Sequence, residues 1–211
     1  MIRVLIADDH AVVRKGLKQI LAETTDIVVA GEAHNGQEVL NKVRKSGDWD
    51  VVVLDITMPG TSGLDILKEM KNEHPKLPVL VLSIHPEDQY AMRVLKSGAS
   101  GYMTKESAPE ELVKAIRKVA TGGKYVTPGM AEKLLFDLGS DPERPLHENL
   151  SDREYQVMCL ITSGKTVKEI AKEMSLSIKT ISTYRTRILE KMKMKTSAEL
   201  IHYGIRNKLV D

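Results

Sequence analysis

The sequence predicts an α/β domain with a five-stranded parallel sheet, (βα)5 and doubly wound, followed by a small all-α domain. Three observations carry that prediction. Short apolar runs alternate with helix-spaced stretches through the first 121 residues, a Gly/Pro-rich stretch follows, and the last third holds only helix candidates.

The runs are Val4-Leu5-Ile6-Ala7, Ile27-Val28-Val29-Ala30, Val51-Val52-Val53-Leu54, Val79-Leu80-Val81-Leu82 and Gly101-Tyr102-Met103. Near-continuous Val and Leu without polar alternation marks strands covered on both faces, as in a parallel sheet. Between them, Val12, Leu17, Ile20 and Leu21, then Val39, Leu40 and Val43, then Leu64, Leu67 and Met70 recur at helical spacing. The fifth helix opens at Ser107-Ala108-Pro109-Glu110, which has capping-box spacing, and stops at Thr121-Gly122-Gly123. Residues 122–146 read as a linker holding one short helix, Met130–Leu138. The second domain, 147–211, opens on the capping box Ser151-Asp152-Arg153-Glu154, with Leu150 and Tyr155 at hydrophobic-staple positions. Its helices are expected near 151–163, 167–174, 178–193 and 196–206.

Composition excludes several classes. With 42% hydrophobic and 28% charged residues, the 211-residue chain is neither disordered nor fibrous. A single cysteine, Cys159, excludes a disulfide framework and a Cys-based zinc site. The first residues reach Asp8 and Asp9 too soon for a signal peptide, and no apolar run approaches membrane-spanning length, so a cytoplasmic protein is expected. Residues 1–121 are near neutral, with 16 Lys+Arg against 17 Asp+Glu, whereas 165–195 hold nine basic and three acidic residues. A neutral front and a basic back suit a regulatory or catalytic domain joined to a polyanion-binding one.

The strand assignments place Asp8 and Asp9 after the first strand, Asp55 after the third, Ser83 after the fourth and Lys105 after the fifth. All are carboxyl ends, where open parallel sheets bind ligands. Three crowded carboxylates repel unless a cation neutralises them, and Mg2+ suits a few oxygens plus water and a phosphate better than Ca2+ does. A phosphoryl group arriving at a carboxylate needs its charge shared among a metal, a lysine and a hydroxyl. The cluster therefore suits an aspartyl phosphate at Asp55. The six histidines show no metal spacing, Trp49 reads as a packing residue and Cys159 as buried and inert.

Together, Asp8-Asp9, Asp55 with Met58-Pro59-Gly60, Ser83, Gly98-Ala99, and Gly101-Tyr102 with Lys105 resemble the receiver domain of two-component response regulators, over residues 1–121. The resemblance implies a flavodoxin-like fold, Asp55 as phosphoacceptor, and magnesium held by Asp9 and Asp55, by Asp8 through water and by the Thr57 carbonyl. It also implies that Ser83 binds the phosphoryl oxygen and swings with Tyr102, while Lys105 pairs with the carboxylate or phosphoryl group. One departure is Glu106, where many receivers have a proline in a cis peptide; a non-proline residue strongly disfavours cis.

In the tail, Ser175-Leu176-Ser177 separates two helices at helix-turn-helix spacing, with Ser177 placed to cap the second. Ile181, Ile188 and Met192 line one face of that helix. Lys179, Thr183, Thr186, Glu190 and Lys193 line the other, with Ser182 and Arg187 at its margins. Small hydroxyls flanked by bases suit a helix laid in the major groove; a protein-binding bundle is the rival reading. Leu150-Ser151-Asp152-Arg153-Glu154, Gly164-Lys165-Thr166-Val167-Lys168-Glu169-Ile170-Ala171 and Ser177-Ile178-Lys179-Thr180-Ile181 resemble the LuxR-type DNA-binding domain.

With the receiver in front, the chain resembles a NarL/FixJ-type response regulator. That implies contacts to double-stranded DNA at inverted repeats, including Lys165 and the 178–193 helix, and dimer contacts through Leu200, Ile201 and Tyr203. A cognate histidine kinase and RNA polymerase are the further partners implied, with no membrane association. Arg185 lies near the buried face, where its stem can snorkel and its guanidinium reach a phosphate. Tyr184 stands where many members have histidine. Two rivals remain at this point: a metal-dependent phosphatase with an Asp nucleophile, which lacks a second carboxylate two residues after Asp55, and a DNA-binding protein indifferent to phosphate.

Overall fold

A computed structural model describes residues 1–211 except 46–47, 59–60, 108, 133–144, 208 and 210–211, and except the side chains of 88 and 89. Pro59 and Gly60, Ala108 of the expected capping box and most of the expected 130–138 helix therefore lie outside the described residues. Two compact units divide at Leu134.

The first unit carries strands β1 (Ile2–Ala7), β2 (Ile27–Ala33), β3 (Val51–Leu54), β4 (Val79–Ser83) and β5 (Gly101–Thr104). Helices α1 (Ala11–Ala22), α2 (Gly36–Lys45), α3 (Gly63–Glu73), α4 (Glu87–Lys96) and α5 (Pro109–Ala120) alternate with them. All pairings are parallel, in the order β2-β1-β3-β4-β5. Every residue of β3 and β4 is buried, whereas edge strand β2 is mostly half-buried, which is why the central strands carry the longest uninterrupted Val/Leu runs. The chain leaves β1 toward β2 and later returns to place β3 on the other side. That reversal opens a crevice at the carboxyl ends of β1 and β3.

The compact body continues past Thr121, where the sequence suggested a linker. Tyr125 bridges to Gly101, its amide donating to Ser100 O at 2.9 Å and its hydroxyl to Glu111 Oε2 at 2.6 Å. Lys124 Nζ donates to Ala99 O at 2.6 Å, the Thr127 hydroxyl donates to Glu87, and Met130 is buried. Turn-forming composition signals a break in regular structure, not a loss of tertiary contact.

Gly63 begins α3, and a Cβ there would lie 2.3 Å from Ile56 Cα and 2.7 Å from Ile56 O, both backbone atoms that cannot swing aside. Gly63→Ala is expected to cost about 1–3 kcal/mol, read as a lower urea midpoint. Gly16→Ala, at an open position inside α1, is expected to be neutral or slightly stabilising. Equal shifts in the two variants would contradict this packing.

In the second unit a short 3-10 turn, Leu146–Asn149, precedes α6 (Asp152–Thr162), α7 (Val167–Glu173), α8 (Ile178–Lys191) and α9 (Ser197–Arg206). Helix α6 packs against the other three. The capping box of α6 is formed by Ser151 and Glu154, and a second one, Thr166 with Glu169, starts α7. Ser177 caps α8 by accepting from Thr180 N at 3.0 Å. Ser175 takes the left-handed conformation in the turn before it, at φ 54°. Ile181, Ile188 and Met192 are buried, as the helical spacing predicted.

Candidate phosphoacceptor site and nucleic-acid interface

The sheet ladders run one residue beyond the strands and so aim the acidic residues together. Asp8 N donates to Ala33 O at 3.2 Å, Asp55 N to Ala7 O at 2.8 Å and Lys105 N to Ser83 O at 2.7 Å. Asp8 and Asp55 are each 1% exposed, and Lys105 Nζ lies 2.6 Å from Oδ2 of both. Only the contact with Asp55 has hydrogen-bond geometry. Burial alone would push the Lys105 ammonium pKa down, but the adjacent carboxylates of Asp55 and Asp8, Asp55 also through its hydrogen bond, outweigh it and hold the pKa above its ordinary value.

The other oxygen of Asp55, Oδ1, accepts from Thr57 N at 2.7 Å and from the Thr57 hydroxyl. Asp8 Oδ1 accepts from His10 N at 2.8 Å. Single side-chain atoms of Asp8, Asp9, His10 and Asp55 fall within 4.8 Å of one another. Asp9 Oδ1 is buried without a hydrogen bond, a condition under which a bound cation is favourable, whereas Asp8 Oδ2 faces the Lys105 ammonium. Behind the cluster, Arg14 is buried and holds the Asp8 carbonyl through NH1 at 2.7 Å, its Nε meeting Glu32 at 3.2 Å.

Ser83 is fully buried, its hydroxyl accepting from His85 N at 3.1 Å. Tyr102 is turned inward and 1% exposed, its hydroxyl donating to His85 O at 2.8 Å. Burial pushes this phenol well above its ordinary pKa against the lowering effect of the Ser83 hydroxyl, so it stays a neutral donor. The described peptide bonds are all trans, Lys105–Glu106 included, as expected where glutamate replaces proline.

Sequence reasoning missed His10 and Arg14. Arg14 shares a helical stripe with Leu17 and Leu21, so periodicity could have marked it as buried. No metal spacing among the histidines marks His10, although the carboxylates its ring meets, Asp8 and Asp9, are the two residues before it in the sequence.

On α8, Lys179, Ser182, Thr183, Thr186 and Arg187 are exposed. The Thr183 hydroxyl donates to Lys179 O at 3.0 Å and that of Thr186 to Ser182 O at 3.1 Å, leaving their lone pairs outward. A hollow of about 340 Å³ lies among Ser177, Lys179, Thr180, Thr183, Tyr184 and Arg187.

The remaining expected positions have partners within the second unit, and Leu200 departs from the sequence reading. Arg185 is half-buried and donates through Nε to Ser197 Oγ at 2.7 Å, tying α8 to α9. Lys165 pairs with Glu173 at 2.6 Å. Leu200 is wholly buried within its own unit, so it presents no surface to a second chain. Ile201 and Tyr203 are half-buried, and the hydroxyl of Tyr203 meets His147 Nδ1 at 2.9 Å. Ile205, 60% exposed, is the large apolar side chain that α9 presents outward. The helical phase that buries Leu200 brings Ile205 to the surface.

The first unit gathers Asp8, Asp9, Asp55 and Lys105 at the carboxyl edge of its sheet, and residues 4–117 match the response regulator receiver domain. Residues 148–204 match the bacterial regulatory proteins of the luxR family. The chain belongs to the two-component response regulators that join these two domains.

It is 37% identical over 211 residues to response regulator GacA of Pseudomonas protegens, covering 100% of this chain and 99% of the relative. To response regulator UvrY of Escherichia coli it is 36% identical over 210 residues, covering 99% and 96%. The structure of RcsB from Salmonella enterica serovar Typhimurium bound to promoter rprA in the presence of phosphomimetic BeF3− aligns with a TM-score of 0.65 at 29% identity, covering 96% and 98%. Its relatives make the chain a regulator rather than an enzyme. Among the described residues no helix is long and apolar enough to cross a membrane.

Proposed function

We propose that Asp55 is the phosphoacceptor and that its phosphorylation, from a histidine kinase or a small phosphodonor in the cytoplasm, controls DNA binding by the second unit. The observation that supports this is a buried carboxylate, Asp55, at the end of central strand β3 beside the switch point, hydrogen-bonded by Lys105 Nζ at 2.6 Å and flanked by Asp8 and Asp9. An Asp55 oxygen forms the new P–O bond as the donor's bond to phosphorus breaks and its leaving group departs. Lys105, now held by Asp55, gains the phosphoryl group as partner, and the Ser83 hydroxyl can donate to it. Ser83 and Tyr102 move together, and because Tyr102 already lies inward here, phosphorylation acts by favouring this inward arrangement within a pre-existing equilibrium.

Mg2+ fits the cluster, with Asp8, Asp9 and Asp55 and the Thr57 carbonyl as the residues to hold it. When bound it neutralises charge on the transferring phosphoryl group. Helix α8 enters the major groove, Lys179, Ser182, Thr183 and Thr186 toward base edges and Lys165 and Arg187 toward phosphates. Arg185 reaches a phosphate only by leaving Ser197. The receiver is the first unit, its 1–121 body extended by the packed residues through Met130, and residues 147–211 form the DNA-binding domain. A homodimer, with Ile201 and Tyr203 of α9 at its contact, reads inverted repeats and presents the regulator to RNA polymerase.

Beryllofluoride with Mg2+ is expected to raise DNA affinity or dimer population roughly 5–150-fold, the usual range of such couplings, and to leave Asp55→Asn unchanged. Fluorescence anisotropy and sedimentation read both. An unchanged wild type would overturn phosphorylation control.

A further inference from the structure

We propose that His10 contributes its imidazole Nδ1 to the divalent-cation site of Asp8, Asp9 and Asp55, widening its range from Mg2+ toward borderline cations such as Co2+. The inference deepens the metal-site reading above and rests on it. His10 occupies the N-cap of α1, where a side chain normally accepts from the helix amides, yet it makes no capping hydrogen bond. The ring turns instead to the carboxylates, with Nδ1 2.9 Å from Asp9 Oδ1 and 3.4 Å from Asp8 Oδ1.

Two ligands each about 2.1 Å from one cation and at right angles are separated by about 3 Å, which matches the 2.9 Å spacing to Asp9 Oδ1. The approach to Asp9 Oδ1 also lacks hydrogen-bond geometry, despite its length. Neighbouring ligands around a shared cation have that relation, since each lone pair points at the ion and not at the other donor. Asp9 Oδ1 is buried without a hydrogen bond, and one side-chain atom each of Asp8, Asp9, His10 and Asp55 lies within 4.8 Å of the others, so the ring nitrogen belongs to the same cluster as the carboxylates.

An all-oxygen set suits Mg2+, which gains little from nitrogen, whereas imidazole strengthens binding of the later first-row divalent ions. His10 thus sets which cation the site prefers while the carboxylates supply most of the charge. Loss of the ring should weaken Co2+ and spare Mg2+. General loosening of the loop would weaken both.

The test is calorimetric titration of the full chain with Mg2+ alone and Co2+ alone, for wild type, His10→Ala and His10→Asn. Asparagine retains a good N-cap residue, so folding is kept. Both variants are expected to bind Co2+ about tenfold or more weakly and Mg2+ within about twofold of wild type. In an Asp9→Ala background, removing His10 should have no further effect on Co2+. Equal losses for the two ions, no loss of Co2+ affinity, or a His10 effect that persists without Asp9 would each overturn the proposal. If wild type binds neither ion, the metal-site reading falls as well. Mg2+ binding with His10-independent Co2+ binding removes the His10 assignment alone.

Discussion

Asp55→Asn is expected to abolish labelling by acetyl phosphate in Mg2+, with wild type labelled under the same conditions. The amide keeps the volume of a residue that is 1% exposed, so folding should survive, but it removes the oxygen that forms the bond to phosphorus. Asp8 is equally buried, yet its Oδ1 is taken by the His10 amide and its Oδ2 faces Lys105, which leaves it a positioning role. Asp9→Ala should also abolish labelling, because it removes a carboxylate from the cation cluster. Asp8→Ala should weaken labelling less, since Asp9 and Asp55 remain. Intact-mass spectrometry reads the 1:1 adduct. Equal labelling of Asp55→Asn and wild type would remove Asp55 from its role.

The second large effect concerns reading of DNA. Thr183 projects from the face of α8 opposite buried Ile181 and Ile188, with its hydroxyl donor spent on Lys179 O. It is therefore expected to meet a base edge as an acceptor or through its methyl group. Arg187 leaves at the margin of the same hollow. Binding-site selection on Thr183→Ala should return altered preferred bases. Arg187→Ala should lower affinity for all sequences alike and flatten the salt dependence by about one phosphate contact. The selected sites should be inverted repeats with half-sites about one helical turn, roughly 34–36 Å, apart. If Arg187→Ala changes the preferred bases while Thr183→Ala only lowers affinity, α8 is rotated from this placement.

Much of this architecture is legible in the sequence because the signals are local. A parallel sheet buried on both faces demands Val/Leu runs, so each strand was marked. Its connectivity then placed Asp8, Asp9, Asp55, Ser83 and Lys105 at one edge without any coordinates. The capping boxes and the 3.6-residue period likewise identified α6 and the buried stripe of α8. The boundary at Thr121 was less legible. Glycines and prolines there mark the end of helix α5, whereas Tyr125 and Thr127 are tied to Glu111 and Glu87, residues 14 and 40 positions back along the chain.

What the sequence by itself determined is which residues are strand, helix and turn, and which carboxylates share the crevice, since periodicity, capping and strand-end position are properties of neighbouring residues. Only the tertiary structure decided where the longer side chains go. His10 turns to Asp9, Arg14 to the Asp8 carbonyl, Arg185 to Ser197, and Leu200 into its own core while Ile205 stands outside. The His10–Asp9 contact joins neighbours in sequence and depends on the turn that leads into α1; the others depend on a partner beyond their own helix or on the angle at which one helix meets another. A flexible side chain reaches several partners at small cost in energy, so the packing around it, and not its place in the chain, selects among them.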